Sequence, residues 1–269
     1  MVRSLVPTGI IFAGVLFMLA ALQRQLIYFP TTAPEERLLE MASRLGLQAW
    51  RDDEGLAVGW RPAGDYHGNK RLLVFHGNAG FALDRAYFRE GFEHLADGWE
   101  IILFEYPGYG ARPGKPSAEL IKRAAATALE ELTNDDERPL YLLGESLGSG
   151  VASYLAGKYP EQVAGLLLVT PFTSLADMAA KHYPILPVRA LLSEDYDSVE
   201  ALAVYRGPVA FLLAGRDEIV PTELGQALHD GYAGSKWLRI EPNASHNTLP
   251  YHPGADWWRE VADFLADNQ

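Results

Sequence analysis

Short, wholly apolar runs recur along the chain at Leu72–Phe75, Ile101–Phe104, Leu140–Leu143, Leu166–Val169 and Val209–Ala214, with a weaker run at Lys236–Ile240. Runs of that length read as strands rather than buried helices. Between several of them apolar positions return at helical spacing, over Leu83–Leu95, Ala118–Leu132, Leu147–Lys158 and Thr222–His229. Apolar strands alternating with helices predict a mostly parallel, doubly wound sheet covered on both faces. Ahead of this alternation, Pro34–Leu45 reads as a short helix stopped at Gly46. Gln48–Trp60 alternates around Asp53-Glu54-Gly55, the pattern of an opening hairpin. Asp256–Ala266 closes the chain as an amphipathic helix, with one of Trp257 and Trp258 expected to pack inward.

The alternation breaks once. Pro171–Arg206 shows no strand pattern, carries Pro184 and Pro187, and holds only short helical pieces. An insertion of that size in a doubly wound sheet sits over the carboxyl ends of the strands, where ligands bind. It is expected to form a small helical cap over about 171–206, whose Tyr183, Ile185, Leu186, Val188, Leu191 and Leu192 supply an apolar wall.

The N-terminus is different again. Between Arg3 and Arg24 lie 20 residues without a charge, and 20 helical residues rise about 30 Å, the thickness of a hydrocarbon core. Residues 1–26 are therefore expected to be a single-pass membrane anchor, with residues 27–269 as the catalytic domain. A cleaved signal peptide and a buried helix are the rival readings; Met18 and Leu19 before Ala20 and Ala21 match a cleavage site poorly. Arg3 on one side and Arg24, Arg37 and Arg44 on the other do not set the orientation.

Composition narrows the classes. A chain of 269 residues that is 48% hydrophobic can bury a full core without staples. It has no cysteine, which removes thiol catalysis and cysteine-based metal sites. A net charge of −12 argues against a nucleic-acid partner. Metal-ligand spacing, a P-loop and a dinucleotide fingerprint are all lacking from the sequence, so no cofactor is expected.

The chemistry-bearing pattern is Gly144-Glu145-Ser146-Leu147-Gly148, set between an apolar strand and an apolar helix. A strand–turn–helix elbow exposes a serine hydroxyl on a strained turn, and its glycines avoid collisions with neighbouring elements. Ser146 is the expected nucleophile. Its partners should follow in the order acid, then histidine. Asp217 stands just past the strand ending at Ala214, and His246 stands between the last strand and the last helix. Glu218 is the substitute for Asp217, and His182, His229 and His252 are weaker candidates because they do not follow a strand end. The loop His76-Gly77-Asn78-Ala79-Gly80 follows another strand. It is expected to give one oxyanion donor, Asn78 N–H with Ala79 as the alternative, and Leu147 N–H the other. His76 reads as a brace for that loop, and Tyr106-Pro107-Gly108-Tyr109-Gly110 as a loop shaping the pocket.

The ordered set "HGNAG", "YPGYG", "GESLG", "PFTSL", "GRDEIVP" and "ASHN" resembles the N-terminally anchored α/β hydrolases of the bud-emergence type, relatives of eukaryotic depalmitoylases. The resemblance spans nearly the whole chain and implies an α/β-hydrolase fold with Ser146, Asp217 and His246 as triad and Asn78 in the oxyanion loop. It departs from the family pattern at Glu105-Tyr106-Pro107, where Asp-Tyr-Arg is common, and at Glu145, which is often basic. The implied activity is hydrolysis of acyl esters or thioesters drawn from lipid or acylated protein, at a membrane. A peptidase or amidase on the same triad and a non-catalytic binding module are the alternatives, and the intact triad disfavours the module.

Overall fold

The computed structural model describes residues 5–64, 68–95, 97–134 and 136–268, with side chains within the first helix at position 14 and from 16 onward. The elements run α1 Leu5–Ile27, α2 Glu35–Arg44, β1 Leu47–Arg51, β2 Ala57–Pro62, β3 Lys70–Phe75, a 3₁₀ turn Ala82–Arg85, α3 Ala86–His94 and β4 Trp99–Phe104. They continue with α4 Ala118–Asn134, β5 Leu140–Glu145, α5 Leu147–Lys158, β6 Gly165–Val169, α6 Leu175–His182, α7 Val188–Leu191 and α8 Ser198–Val204. The chain ends with β7 Val209–Ala214, α9 Thr222–Gly231, β8 Lys236–Glu241 and α10 Trp257–Asp267.

Eight strands form one sheet in the order β1-β2-β4-β3-β5-β6-β7-β8. Pairing is antiparallel for β1 with β2 and β2 with β4, and parallel from β4 to β8. The central strands are apolar along the runs Leu72–Phe75, Ile101–Phe104, Leu140–Leu143, Leu166–Val169 and Val209–Ala214 because each residue there faces one of two cores. In β3, Leu73 and Phe75 join the core that holds Val151 and Leu155 of α5, while Leu72 and Val74 join the core that holds Trp258 and Val261 of α10. Strand period two thus places alternate residues in opposite layers. β8 lies at the sheet edge, and its residues are only partly buried or exposed, which is why its run is the weakest in the sequence.

Two particulars differ from the sequence reading. Both tryptophans of α10 are fully buried, stacked at 3.7 Å between ring centroids. The indole N–H of Trp257 donates to Pro250 O at 2.8 Å and that of Trp258 to His252 O at 3.0 Å. The chain leading into α10 covers one ring while α3 covers the other, so both pack inward. The second particular is the anchor. Its first four residues, Arg3 among them, lie outside the described residues. Among the described residues no helix is long and apolar enough to cross a membrane.

The end of α1 is docked on the domain. Gln23 Oε1 accepts from Ser193 N at 2.7 Å, and Arg24 Nε donates to Glu194 Oε1 at 2.6 Å. The buried Glu194 carboxylate also accepts from Tyr28 OH at 2.7 Å and from Ala118 N at 2.6 Å. Burial would raise its pKa, but the hydrogen bonds from Tyr28, Ala118 and Arg24 hold it below the ordinary value. The segment between β6 and β7 holds α6, α7 and α8 and no strand.

Candidate active site

Ser146 sits between β5 and α5 at φ 52° and ψ −117°, a left-handed conformation that costs a non-glycine residue about 1–3 kcal/mol. The neighbouring glycines permit it. A Cβ on Gly148 would lie 2.1 Å from Phe75 O, and one on Gly144 would lie 2.3 Å from Gly148 O. The turn is pinned by Ser146 N donating to Val169 O at 2.9 Å. Leu147 opens α5, so its N–H has no acceptor within the helix.

Asp217 and His246 stand in the loops after β7 and β8, and their side chains meet. His246 Nδ1 donates to Asp217 Oδ2 at 2.7 Å, with the carboxylate almost wholly buried. Because a carboxylate only accepts, Nδ1 carries the proton and Nε2 is the free base of neutral imidazole. Asp217 Oδ1 accepts from Ile219 N at 2.9 Å and Val220 N at 2.7 Å, which fixes the carboxylate plane. The structure thus closes the acid–histidine bond. It does not form a hydrogen bond between Ser146 and His246 among the described residues. Such bonds are often long in ligand-free sites and tighten only with substrate.

The loop after β3 is held from three sides. The Asn78 carboxamide accepts from Phe29 N at 3.1 Å and from Tyr109 OH at 2.9 Å, and donates to Ile27 O. His76 is buried, with Nδ1 2.7 Å from Gly77 O and its ring 4.0 Å from that of Tyr106. Tyr106 OH in turn donates to His76 O at 2.8 Å. On the elbow side, Gly77 N donates to Glu145 Oε2 at 3.1 Å.

Glu145 is the centre of a cluster whose other members sequence reasoning missed. Arg85 Nε donates to its Oε2 at 2.6 Å and Tyr87 OH to its Oε1 at 2.7 Å. Burial would push the Glu145 carboxyl up; the Arg85 charge and the hydrogen bonds from Tyr87, Arg85 and Gly77 outweigh it and hold the pKa below the ordinary range. Burial, then the Glu145 charge, raises Tyr87 far above the ordinary phenol value. An acid in the last position of an otherwise apolar strand was the one available signal.

The comparisons with known proteins agree with this architecture. Residues 70–190 match the family described as alpha/beta hydrolase fold. An uncharacterised protein of Mycobacterium tuberculosis, Rv2307c, is 36% identical over 96% of this chain and 92% of its own length. Protein bem46 of Schizosaccharomyces pombe is 31% identical over 73% of this chain and 67% of its own. The lysophosphatidylserine lipase ABHD12 of Danio rerio is 27% identical over 70% and 54%. Among solved structures, the Pyrococcus furiosus esterase PF2001 shares the fold, with TM-score 0.65 and 17% identity over 84% of this chain and 92% of its own. The chain belongs to the α/β-hydrolase superfamily, in its bud-emergence branch, and is a hydrolase.

Proposed function

We propose that the protein hydrolyses carboxylic acyl esters or thioesters through Ser146, His246 and Asp217, by way of an acyl-enzyme. The observation that carries this reading is the buried Asp217–His246 bond, set on the same strand ends as a strained elbow serine. Ser146 Oγ attacks the carbonyl carbon and its proton passes to His246 Nε2. Leu147 N–H and Asn78 N–H receive the oxyanion. Collapse expels the alcohol or thiol, protonated by His246, and leaves the acyl group on Ser146. Water, deprotonated by His246, then adds to that ester; its collapse releases the acid and returns the proton to Ser146. Asp217 holds the useful tautomer throughout and stabilises the imidazolium.

An acyl chain from lipid or acylated protein fits the apolar surface near the site. Helix α1 exposes Phe17 and Leu26, 77% and 56% accessible, and residues 1–26 serve as the membrane attachment of the domain at 27–269. Residues 171–206 act as its cap. The lipase activity named for the ABHD12 relative is in keeping with such a substrate.

The test is fluorophosphonate labelling with p-nitrophenyl ester hydrolysis. Wild type should label and turn over, and Ser146→Ala should do neither while keeping its circular dichroism and melting temperature. Ordinary labelling of Ser146→Ala would sink the assignment, and Ser146-dependent cleavage of peptides or amides in place of esters would move it to the amidase class.

A further inference from the structure

We infer that the groove between α1 and the 179–192 segment binds the acyl chain of the ester, so that the N-terminal helix is itself a wall of the substrate site. This inference rests on the ester-hydrolase reading above. The groove encloses about 410 Å³, within the range of small-molecule sites. One side is Leu19, Leu26 and Ile27 of α1, and the other is Leu186, Val188 and Leu191.

The lining says what kind of ligand fits. Among the described residues it carries no charged side chain. Its amide, on Gln23, is already committed. Nε2 donates to Ala20 O at 2.7 Å and Leu191 O at 3.4 Å, and Oε1 accepts from Ser193 N at 2.7 Å. A polar head group entering there would shed water and gain little in return, which costs free energy. An apolar chain loses nothing and buries its methylenes.

The position of the groove says which chain. Ile27 and Phe29 line it, and the same two residues are tied through Ile27 O and Phe29 N to the Asn78 carboxamide. Asn78 also offers the backbone N–H assigned to the oxyanion. The wall of the groove is therefore tied directly to the loop that carries the assigned oxyanion donor. Elsewhere on α1, Phe17, Met18 and Leu22 are exposed as well.

The experiment fills the groove in the full-length protein. Ala20→Trp and Ala179→Trp place an indole in it from opposite walls, and Leu39→Ser, at an exposed residue of α2 outside the lining, is the control. The readout is the ratio of kcat/KM on p-nitrophenyl dodecanoate to that on the acetate, in detergent solution. Either filled variant should lower the ratio roughly fiftyfold, the value of about three buried methylenes, and the control should leave it unchanged. A ratio that is unmoved in both filled variants overturns the groove and leaves the hydrolase reading standing. Absence of Ser146-dependent hydrolysis of either ester in wild type overturns the hydrolase reading instead. A second arm needs no turnover: cis-parinaric acid should bind Ser146→Ala and bind at least tenfold more weakly when Ala179→Trp is added. Equal binding by the two proteins overturns the groove.

Discussion

Glu145→Gln is the substitution that separates holding the fold from holding the oxyanion loop. The native carboxylate accepts from Gly77 N, Arg85 Nε and Tyr87 OH inside a nearly closed cluster, with Glu145 and Arg85 side chains 12% and 17% exposed. Breaking a buried pair by removing one partner costs about 3–5 kcal/mol. The amide keeps the shape and two of the contacts, so about 2–3 kcal/mol is expected. At roughly 2–4 °C per kcal/mol for a domain of this size, the melting temperature should fall by about 4–12 °C. The loss of function should be larger in proportion. A neutral amide holds Gly77 N less strongly than the carboxylate does; Gly77 precedes Asn78, and a displaced donor at the proposed oxyanion position lowers kcat by about 10²-fold while leaving KM nearly alone. Arg85→Gln with Glu145→Gln should restore part of the stability and none of the rate. The pH dependence has a definite sign. The Glu145 carboxyl is depressed in the folded state below its ordinary 4.5. Its contribution is therefore complete above that value and is lost only as pH falls through the lower folded pKa. The stability gap between wild type and Glu145→Gln should be constant from pH 5 upward and narrow in more acid solution. Calorimetry with steady-state kinetics on a p-nitrophenyl ester decides it: a melting shift with unchanged kcat would refute the link from Glu145 to the oxyanion loop.

The remaining predictions concern separate parts of the molecule. Asp217→Asn should cut kcat by roughly 10⁴-fold with little change in melting temperature, because the amide favours the wrong imidazole tautomer; a loss under tenfold would point to Glu218 as the acid. Trp258→Ala removes a fully buried ring packed against Phe88 and Phe92 and should cost about 3–5 kcal/mol in urea unfolding. Glu194→Gln weakens the seat shared by Arg24, Tyr28 and Ala118 and should cost about 2 kcal/mol, with faster proteolysis at Arg24. Like that of Glu145, this contribution is present at neutral pH and disappears in acid, since the native carboxyl is depressed.

What could be read from the sequence follows physical locality. A parallel strand buried on both faces is apolar on both, so the central stretches of β3, β5, β6 and β7 announce themselves as unbroken runs. Loops at strand ends inherit their place from the strands, which is why Asp217 and His246 could be nominated although 29 residues separate them. The tryptophan pair was harder. Successive helical residues point about 100° apart, so one buried face predicts one buried ring; a second covering surface, the 250–255 segment, encloses the other. The Glu145 cluster was beyond reach for a related reason. Arg85 and Tyr87 lie 60 and 58 residues from the acid they hold, and nothing in their own neighbourhood says which buried charge they will meet. The apolar N-terminal helix shows the same limit from the other side. Its hydrophobicity states that it must be covered without saying by what. Gln23 and Arg24, polar residues at its end, make the connection to Ser193 and Glu194. That polar seat brings the apolar face of α1 against the 179–192 segment and ties its last turn to Asn78. A helix that the sequence presents as an attachment thereby becomes, in the folded chain, a neighbour of the loop that carries Asn78.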